Sequence, residues 1–330
     1  MEAAGDAVLL NEWSFQELID AFERFVWELE NEPLLFEPNR LRERLEALDR
    51  LDAYFPDGYF PDGYFPDASQ QVFGAESIEP GLYRRARAIC ARLEAVNGEL
   101  YEGIRGEIQR GDGPDALLRW VDSSPKIDEV AGLGGTVIGP GGPVSGMGYD
   151  YLDELISGVF QFEEPDAGPV RRESEMVFYQ PTPARHIFGL IGLTALTETD
   201  VLVDLGSGLG HVPLLVSICT GARSIGIELE AAYVERAQQC AEGLKLNRVT
   251  FLQQDARAAD LSIGTVFYLH TPFTGSILRR VLNLLRREAA TRRIRICTYG
   301  PCTPIIAEEP WLEAAVAQET DRIVVFCSRD

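Results

Sequence analysis

Lysine is almost missing from this 330-residue chain: Lys126 and Lys245 are the only two among 30 basic side chains. The excess of arginine reads as the codon bias of a GC-rich genome and carries no functional signal. Cysteine is sparse and never spaced C-x-x-C. The six (90, 219, 240, 297, 302, 327) fall mostly in apolar runs, as reduced core thiols do, so neither zinc nor a disulfide framework is expected. Long hydrophobic runs are absent too. Stretches such as Val212 to Cys219 or Ile323 to Cys327 are far shorter than the ~20 residues of a membrane span, and Met1 to Asn11 has no basic start with an apolar core. A soluble, unexported, cytoplasmic protein with no membrane partner and no metal is expected. Acid is what the chain has in quantity, with a net charge of −22. Residues 1–150 carry 13 basic and 29 acidic side chains, and residues 151–330 carry 17 and 23. Such a field repels a phosphate backbone, which argues against nucleic acid.

With 45% hydrophobic and 25% charged residues, the composition is that of an ordinary globular protein, and the length suits about two domains. The first 130 residues look helical. Ser14 and Glu17 form a capping box before the periodic run Phe15, Leu18, Phe22, Phe25, Val26 and Leu29, and a second segment from near Asn39 puts Leu41, Leu45 and Leu48 on one face. A third stretch, about Leu82 to Ile108, is weakened by Gly98, Gly103 and Gly106. Between them Tyr54-Phe-Pro-Asp-Gly recurs at Tyr59 and, ending in alanine, at Tyr64, which predicts three successive turns whose rings dock on the neighbouring helices, with an aromatic binding patch as the alternative. Residues 132–148 hold eight glycines and two prolines and read as a hinge. The expected division is therefore an acidic helical domain over 1–131, a glycine-rich hinge over 132–148 and a second domain over 149–330.

That second domain opens with a helix at Tyr149 to Phe162 and then alternates. Strands are expected at 201–205, 223–228, 248–252, 264–270 and 293–299, and helices at 210–219, 230–245 and 275–288; two antiparallel strands follow between Trp311 and Ser328. Alternation of this kind predicts an α/β fold with a mostly parallel, Rossmann-like sheet covered on both faces. Val203-Asp204-Leu205-Gly206-Ser207-Gly208-Leu209-Gly210 follows a strand and opens a helix, the context a nucleotide-binding glycine loop requires. Position 211, where a dinucleotide fingerprint has its third glycine, is His211. Asp204 before the first glycine would repel a pyrophosphate and suits a ligand with an ammonium group. Glu228 ends the second strand, where it can accept from both ribose hydroxyls, and Asp255, followed by Ala256, stands after the third, where it can accept from an adenine amino group.

This constellation resembles the class I S-adenosylmethionine-dependent methyltransferases, and the resemblance implies S-adenosylmethionine as cofactor and those three roles for Asp204, Glu228 and Asp255. Tyr179-Gln-Pro-Thr182, then Asp204-Leu-Gly-Ser-Gly208, is most similar to the stretch preceding the glycine loop in the non-SET histone-lysine methyltransferases, over about residues 176–300. There a tyrosine and a threonine belong to a loop that closes over the cofactor, which assigns Tyr179 and Thr182 to cofactor binding. The family's glycine and glutamate between them are Gln180 and Pro181 here. Its paired asparagines after the fourth strand are replaced by Tyr268-Leu-His270-Thr271-Pro272-Phe273.

The expected reaction is methyl transfer to an oxygen or nitrogen nucleophile of a small-molecule acceptor. A protein lysine or arginine is the alternative, favoured by the acidic surface, and a cofactor-binding accessory protein without turnover is a third reading. Of the three histidines, His186, His211 and His270, the last is the candidate general base, with an apparent pKa near the ordinary ~6.5; a residue that hydrogen-bonds the cofactor or simply packs is the alternative. Thr271 and Tyr299 complete the catalytic set; Cys302 reads as a passive thiol. The arginines from Arg279 to Arg295 read as a solvated helix face, since no aromatic residues are interleaved for base stacking.

Overall fold

Apolar periodicity of 3.6 residues builds the first part of the chain. In the computed structural model, residues 15–54, 79–121, 148–162, 165, 173–314 and 319–329 are described, together with the backbone of 138–139 and 142–143. Two compact units divide the chain, residues 1–101 and 102–330. In the first, helix α1 (Phe15–Glu30) buries Leu18, Phe22, Phe25, Val26 and Leu29 on one stripe, against the buried stripe of the first two-thirds of α3 (Pro80–Arg110), which includes Leu82, Ala86, Ile89 and Leu93. The three glycines of α3 do not interrupt it, and Gly98 and Gly103 border open space, so no close approach requires them.

Helix α2 (Leu41–Ala53) departs from the expected face. Its buried residues are Leu41, Arg44, Ala47 and Leu51, while Leu45 and Leu48 are only half-buried. Arg44 is fully buried, and among the described residues no carboxylate forms an ion pair with it. Its guanidinium donates to Asn97 Oδ1 at 2.6 Å and to the carbonyls of Leu35, Glu37 and Pro38, so a turn of backbone oxygens satisfies the buried cation. Tyr54, the first ring of the repeated motif, packs on Phe22 at 4.7 Å and on Phe25 at 6.4 Å. The rest of the repeat and the Ser14 cap lie outside the described residues.

Where the sequence reading ends the helical region at residue 131, the compact units divide inside α3. Helix α4 (Gly113–Val121) buries Ala116 and Leu117 in the second unit, and a Cβ on Gly113 would sit 2.6 Å from Ile218 Cγ2. Most of the 132–148 hinge lies outside the described residues; within it, β1 (Ile138–Gly139) and β2 (Gly142–Pro143) pair antiparallel. Helix α5 (Tyr151–Phe160) is capped by Asp150, whose Oδ1 accepts from Leu152 N, and α6 (Ala184–Thr194) follows.

The sheet then forms as the alternation predicts. Strand β3 (Val201–Leu205) leads to α7 (His211–Thr220), β4 (Arg223–Glu228), α8 (Ala231–Gly243), β5 (Val249–Gln253), β6 (Val266–Leu269), α9 (Gly275–Ala289) and β7 (Arg295–Thr298). A short helix, α10 (Cys302–Ala307), which the sequence pattern does not announce, precedes β8 (Leu312–Ala314) and β9 (Val324–Ser328). The strand order is β5-β4-β3-β6-β7-β9-β8: five parallel strands, then β9 antiparallel to β7 and to β8. The order reverses between β3 and β6, and open α/β sheets bind ligands outside the carboxyl ends of the strands at such a switch point. Among the described residues no helix is long and apolar enough to cross a membrane.

Candidate active site

The turn after β3 is glycine-rich because its backbone occupies the left-handed region. Gly206, Gly208 and Gly210 have φ of +89°, +50° and +85°. Space is as restrictive as conformation: a Cβ on Gly208 would lie 2.0 Å from Tyr179 Cε2, and one on Gly206 would lie 2.4 Å from Pro272 Cβ. The loop is fixed from below by the N–H groups of Gly206 and Ser207, which both donate to Ile227 O, and from the side by Glu228, whose Oε2 accepts from Gly208 N at 2.9 Å. The other oxygen of Glu228 accepts from Leu229 N at 2.6 Å and Glu230 N at 2.9 Å.

Beside this loop opens a cleft of about 380 Å³ within the second unit. Of the residues expected to bind cofactor, Tyr179, Thr182, Asp204, Gly206, Ser207, His211, Glu228, Asp255 and Ala256 line it, and so do His270 and Thr271. Gly208 and Gly210 shape the turn without lining the cleft, and Tyr299 does not line it either. Tyr299 instead lies between His186 and His270, with ring centroids at 4.5 and 4.8 Å.

Asp204 is buried at the end of β3, and burial, with the Glu228 charge as a second cause, pushes its carboxyl well above the usual range. Ser207 Oγ is buried on the cleft wall with no hydrogen-bond partner. Tyr179 spans the loop: its ring lies 4.9 Å from that of Tyr233, and its hydroxyl meets His211 Nδ1 at 3.2 Å. His211 is also packed edge-on against Phe162, and burial lowers its pKa to about 4. Asp255 is held below the usual carboxylate range by the side chain of Arg257, which bonds both carboxylate oxygens.

At the opposite end, Thr182 Oγ1 hydrogen-bonds Tyr268 OH at 2.8 Å and His270 Nδ1 at 3.2 Å, and the Gln180 carbonyl also accepts from the His270 ring. Burial holds His270 down to about 4, which corrects the expectation of titration near 6.5. Thr271 lies in the left-handed region at φ +42°, with its hydroxyl donating to Tyr299 O at 3.2 Å and accepting from Cys302 N at 3.1 Å. That hydroxyl is committed to the start of α10. Cys302 is fully buried, and burial raises its thiol pKa.

Two residues that position the site carry little sequence signal. Tyr149 donates to Pro181 O at 2.5 Å, and Asp153 accepts from Asp150 N at 2.6 Å and from Ala184 N at 2.7 Å, so both hold the ends of the 179–183 loop. The Asp150-x-x-Asp153 spacing before an apolar run is itself a capping signal. The arginine cluster is more structural than a solvated face. Arg279 pairs with Glu309, Arg292 donates to the carbonyls of Leu261 and Gly264, and Arg295 pairs with Asp200 at 3.0 Å.

Residues 176–262 match the family model for "Histone methylation protein DOT1". Over that segment the chain is similar to the DOT1 family of class I S-adenosylmethionine-dependent methyltransferases. Similar solved structures include an RNA methyltransferase from Salinibacter ruber in complex with S-adenosyl-L-homocysteine (24% identity, 45% of this chain and 92% of that chain, TM-score 0.37). A putative methyltransferase from Escherichia coli is 13% identical over 44% of this chain and 87% of that one, with TM-score 0.37. One from Geobacter sulfurreducens is 14% identical over 46% and 82%, with TM-score 0.35. No curated protein matches. The residues present in the cleft fit S-adenosylmethionine as cofactor: buried Asp204, Gly206, and a Ser207 hydroxyl with no partner among the described residues line it together with Glu228 and Asp255. When bound, this cofactor supplies an electrophilic methyl group on a sulfonium centre.

Proposed function

We propose that this methyltransferase acts on an oxygen or nitrogen nucleophile of a small-molecule acceptor that enters at the His270 end of the cleft, in a cytoplasmic setting and without nucleic acid. Asp204, Glu228 and Asp255 are assigned to the ammonium, ribose and adenine ends of the cofactor, with Tyr179 and Thr182 on the loop facing them. The observation that carries the acceptor class is the lining at that end, where Tyr268, His270, Thr271, Pro272 and Phe273 stand in place of the paired asparagines that lie beside the reacting amine in the DOT1 family. His270 holds the acceptor's proton-bearing atom and takes its proton as the methyl group passes from the sulfonium sulfur to the acceptor, while Thr182, itself bonded to Tyr268 OH, fixes the ring.

A protein side-chain amine is the second reading, and the DOT1 family match favours it. Incubation of the protein with methyl-labelled S-adenosylmethionine and a cell extract separates the two. A new labelled species in the acid-soluble fraction, resolved from S-adenosylmethionine and its breakdown products and absent without the protein, supports a small molecule, whereas new label only in acid-precipitable protein overturns it.

A further inference from the structure

The adenine end of the cleft holds a side chain that nothing above assigns. Arg257 does not line the cleft, yet it engages Asp255 along one whole edge of the carboxylate. Its Nε lies 3.0 Å from both Oδ1 and Oδ2, its Nη2 lies 2.7 Å from Oδ2, and its backbone N–H reaches Oδ1 at 2.8 Å. The far side of the same guanidinium is held by Glu173, with Nη2 to Oε1 at 2.6 Å and Nη1 to Oε2 at 3.2 Å. Glu173 is followed closely by Val177, Phe178 and Tyr179, which line the cleft. One planar fork thus ties the adenine-facing acid to the base of the loop opposite.

We infer that Arg257 is a positioning residue for purine selection: it holds the Asp255 carboxylate ionised and in one orientation, so that its remaining lone pairs face a 6-amino group and reject a 6-oxo group. This rests on the reading of Asp255 as the adenine acceptor. A carboxylate has about four acceptor positions, and an ionised one has only acceptors, so the choice of base depends on which positions stay free and where they face. Asp255 is itself a third exposed, and without the fork its two side-chain torsions are set only by the bond to its own turn. A lysine at 257 would supply charge but not the planar pair of donors.

The test compares S-adenosylhomocysteine with S-inosylhomocysteine, which replaces the 6-amino group by oxygen, using titration calorimetry on the full chain. The unmodified protein is expected to favour the adenosyl compound at least tenfold. In Arg257→Leu that ratio should fall by at least fivefold, chiefly through loss of adenosyl affinity, with Arg257→Lys only partly restoring it. Glu173→Gln, at a side chain half exposed to solvent and so of little weight in folding, should lower the ratio in the same direction. If both ligands weaken in parallel in these variants, or neither changes, Arg257 is merely structural and the inference is overturned. Failure of the unmodified protein to bind S-adenosylhomocysteine would instead overturn the cofactor assignment on which it rests.

Discussion

Replacement of Glu228 by alanine separates two tasks that one carboxylate performs. Its oxygens accept from the N–H groups of Gly208, Leu229 and Glu230. Leu229 is 38% exposed and Glu230 half-buried, so water can take over those two bonds, but Gly208 is buried and its N–H loses its acceptor outright. An orphaned buried donor costs about 1–3 kcal/mol, which is the expected loss of folding stability, read as a lower urea midpoint at unchanged slope. If the same carboxylate also accepts the ribose hydroxyls, about 1.5–3 kcal/mol more is lost from S-adenosylhomocysteine binding. At about 1.4 kcal/mol per decade, Kd rises roughly 10- to 150-fold. Glu228→Gln should fall between, because the amide keeps one acceptor oxygen but turns a donor toward at least one of the three N–H groups. Calorimetry on the folded variant decides: a lowered midpoint with unchanged affinity refutes the ribose assignment and leaves Glu228 as a pin for the glycine loop. Tighter binding of NAD than of S-adenosylhomocysteine refutes the cofactor itself.

His270→Gln should lower turnover by about 10²–10⁴ while sparing cofactor affinity, and the parent rate should show no inflection from His270 near pH 6.5, because the ring stays neutral down to about 4; a variant that keeps most of its turnover refutes the base assignment. Acid should destabilise the fold. His186, His211 and His270 are all lowered from 6.5 to about 4, so the stability they contribute is complete above 6.5 and is lost as pH falls toward 4. Asp49, Asp52, Asp153 and Asp204, all raised by burial, act in the opposite sense as they protonate, so the histidine share is read from His211→Gln: its urea midpoint should depend less steeply on pH between 6.5 and 4.5 than the parent's, and an equal or steeper dependence refutes this account. Deletion of residues 1–101 should leave S-adenosylhomocysteine binding intact and abolish acceptor turnover if the helical unit governs access, whereas full turnover makes that unit an interaction module. Deletion through residue 148 should lower the melting temperature further, since burial of Leu117 alone stabilises by about 1.5–3 kcal/mol.

The sheet was legible because each strand is a short apolar run closed by a glycine turn or a polar residue, and those closings fall at the edge where the ligand acids stand. Asp204, Glu228 and Asp255 could therefore be placed on one cleft from their offsets alone. Arg44 could not, because periodicity ranks leucines above an arginine at a core position, and the carbonyls that satisfy this cation come from a turn whose shape has no periodic signal. Tyr299 was expected at the end of the fifth strand facing the cleft and does not line it, since its ring packs between two histidines, one on α6 and one just after β6. The six residues of α10 are too few to show a helical period. The depression of His270 is invisible in sequence because it reflects how much protein surrounds the ring, not which residues flank it.

Thr271 lies on the cleft wall with a backbone angle that a threonine adopts only under constraint, at a cost of order 1–3 kcal/mol. A search for heat-resistant variants should therefore be drawn to this position, where asparagine relaxes the backbone and glycine removes the strain altogether. Glycine, however, also deletes the hydroxyl that joins Tyr299 O to Cys302 N, and with it the link between the acceptor end of the cleft and the start of α10. Selection for thermal tolerance and selection for turnover would then pull this one residue in opposite directions.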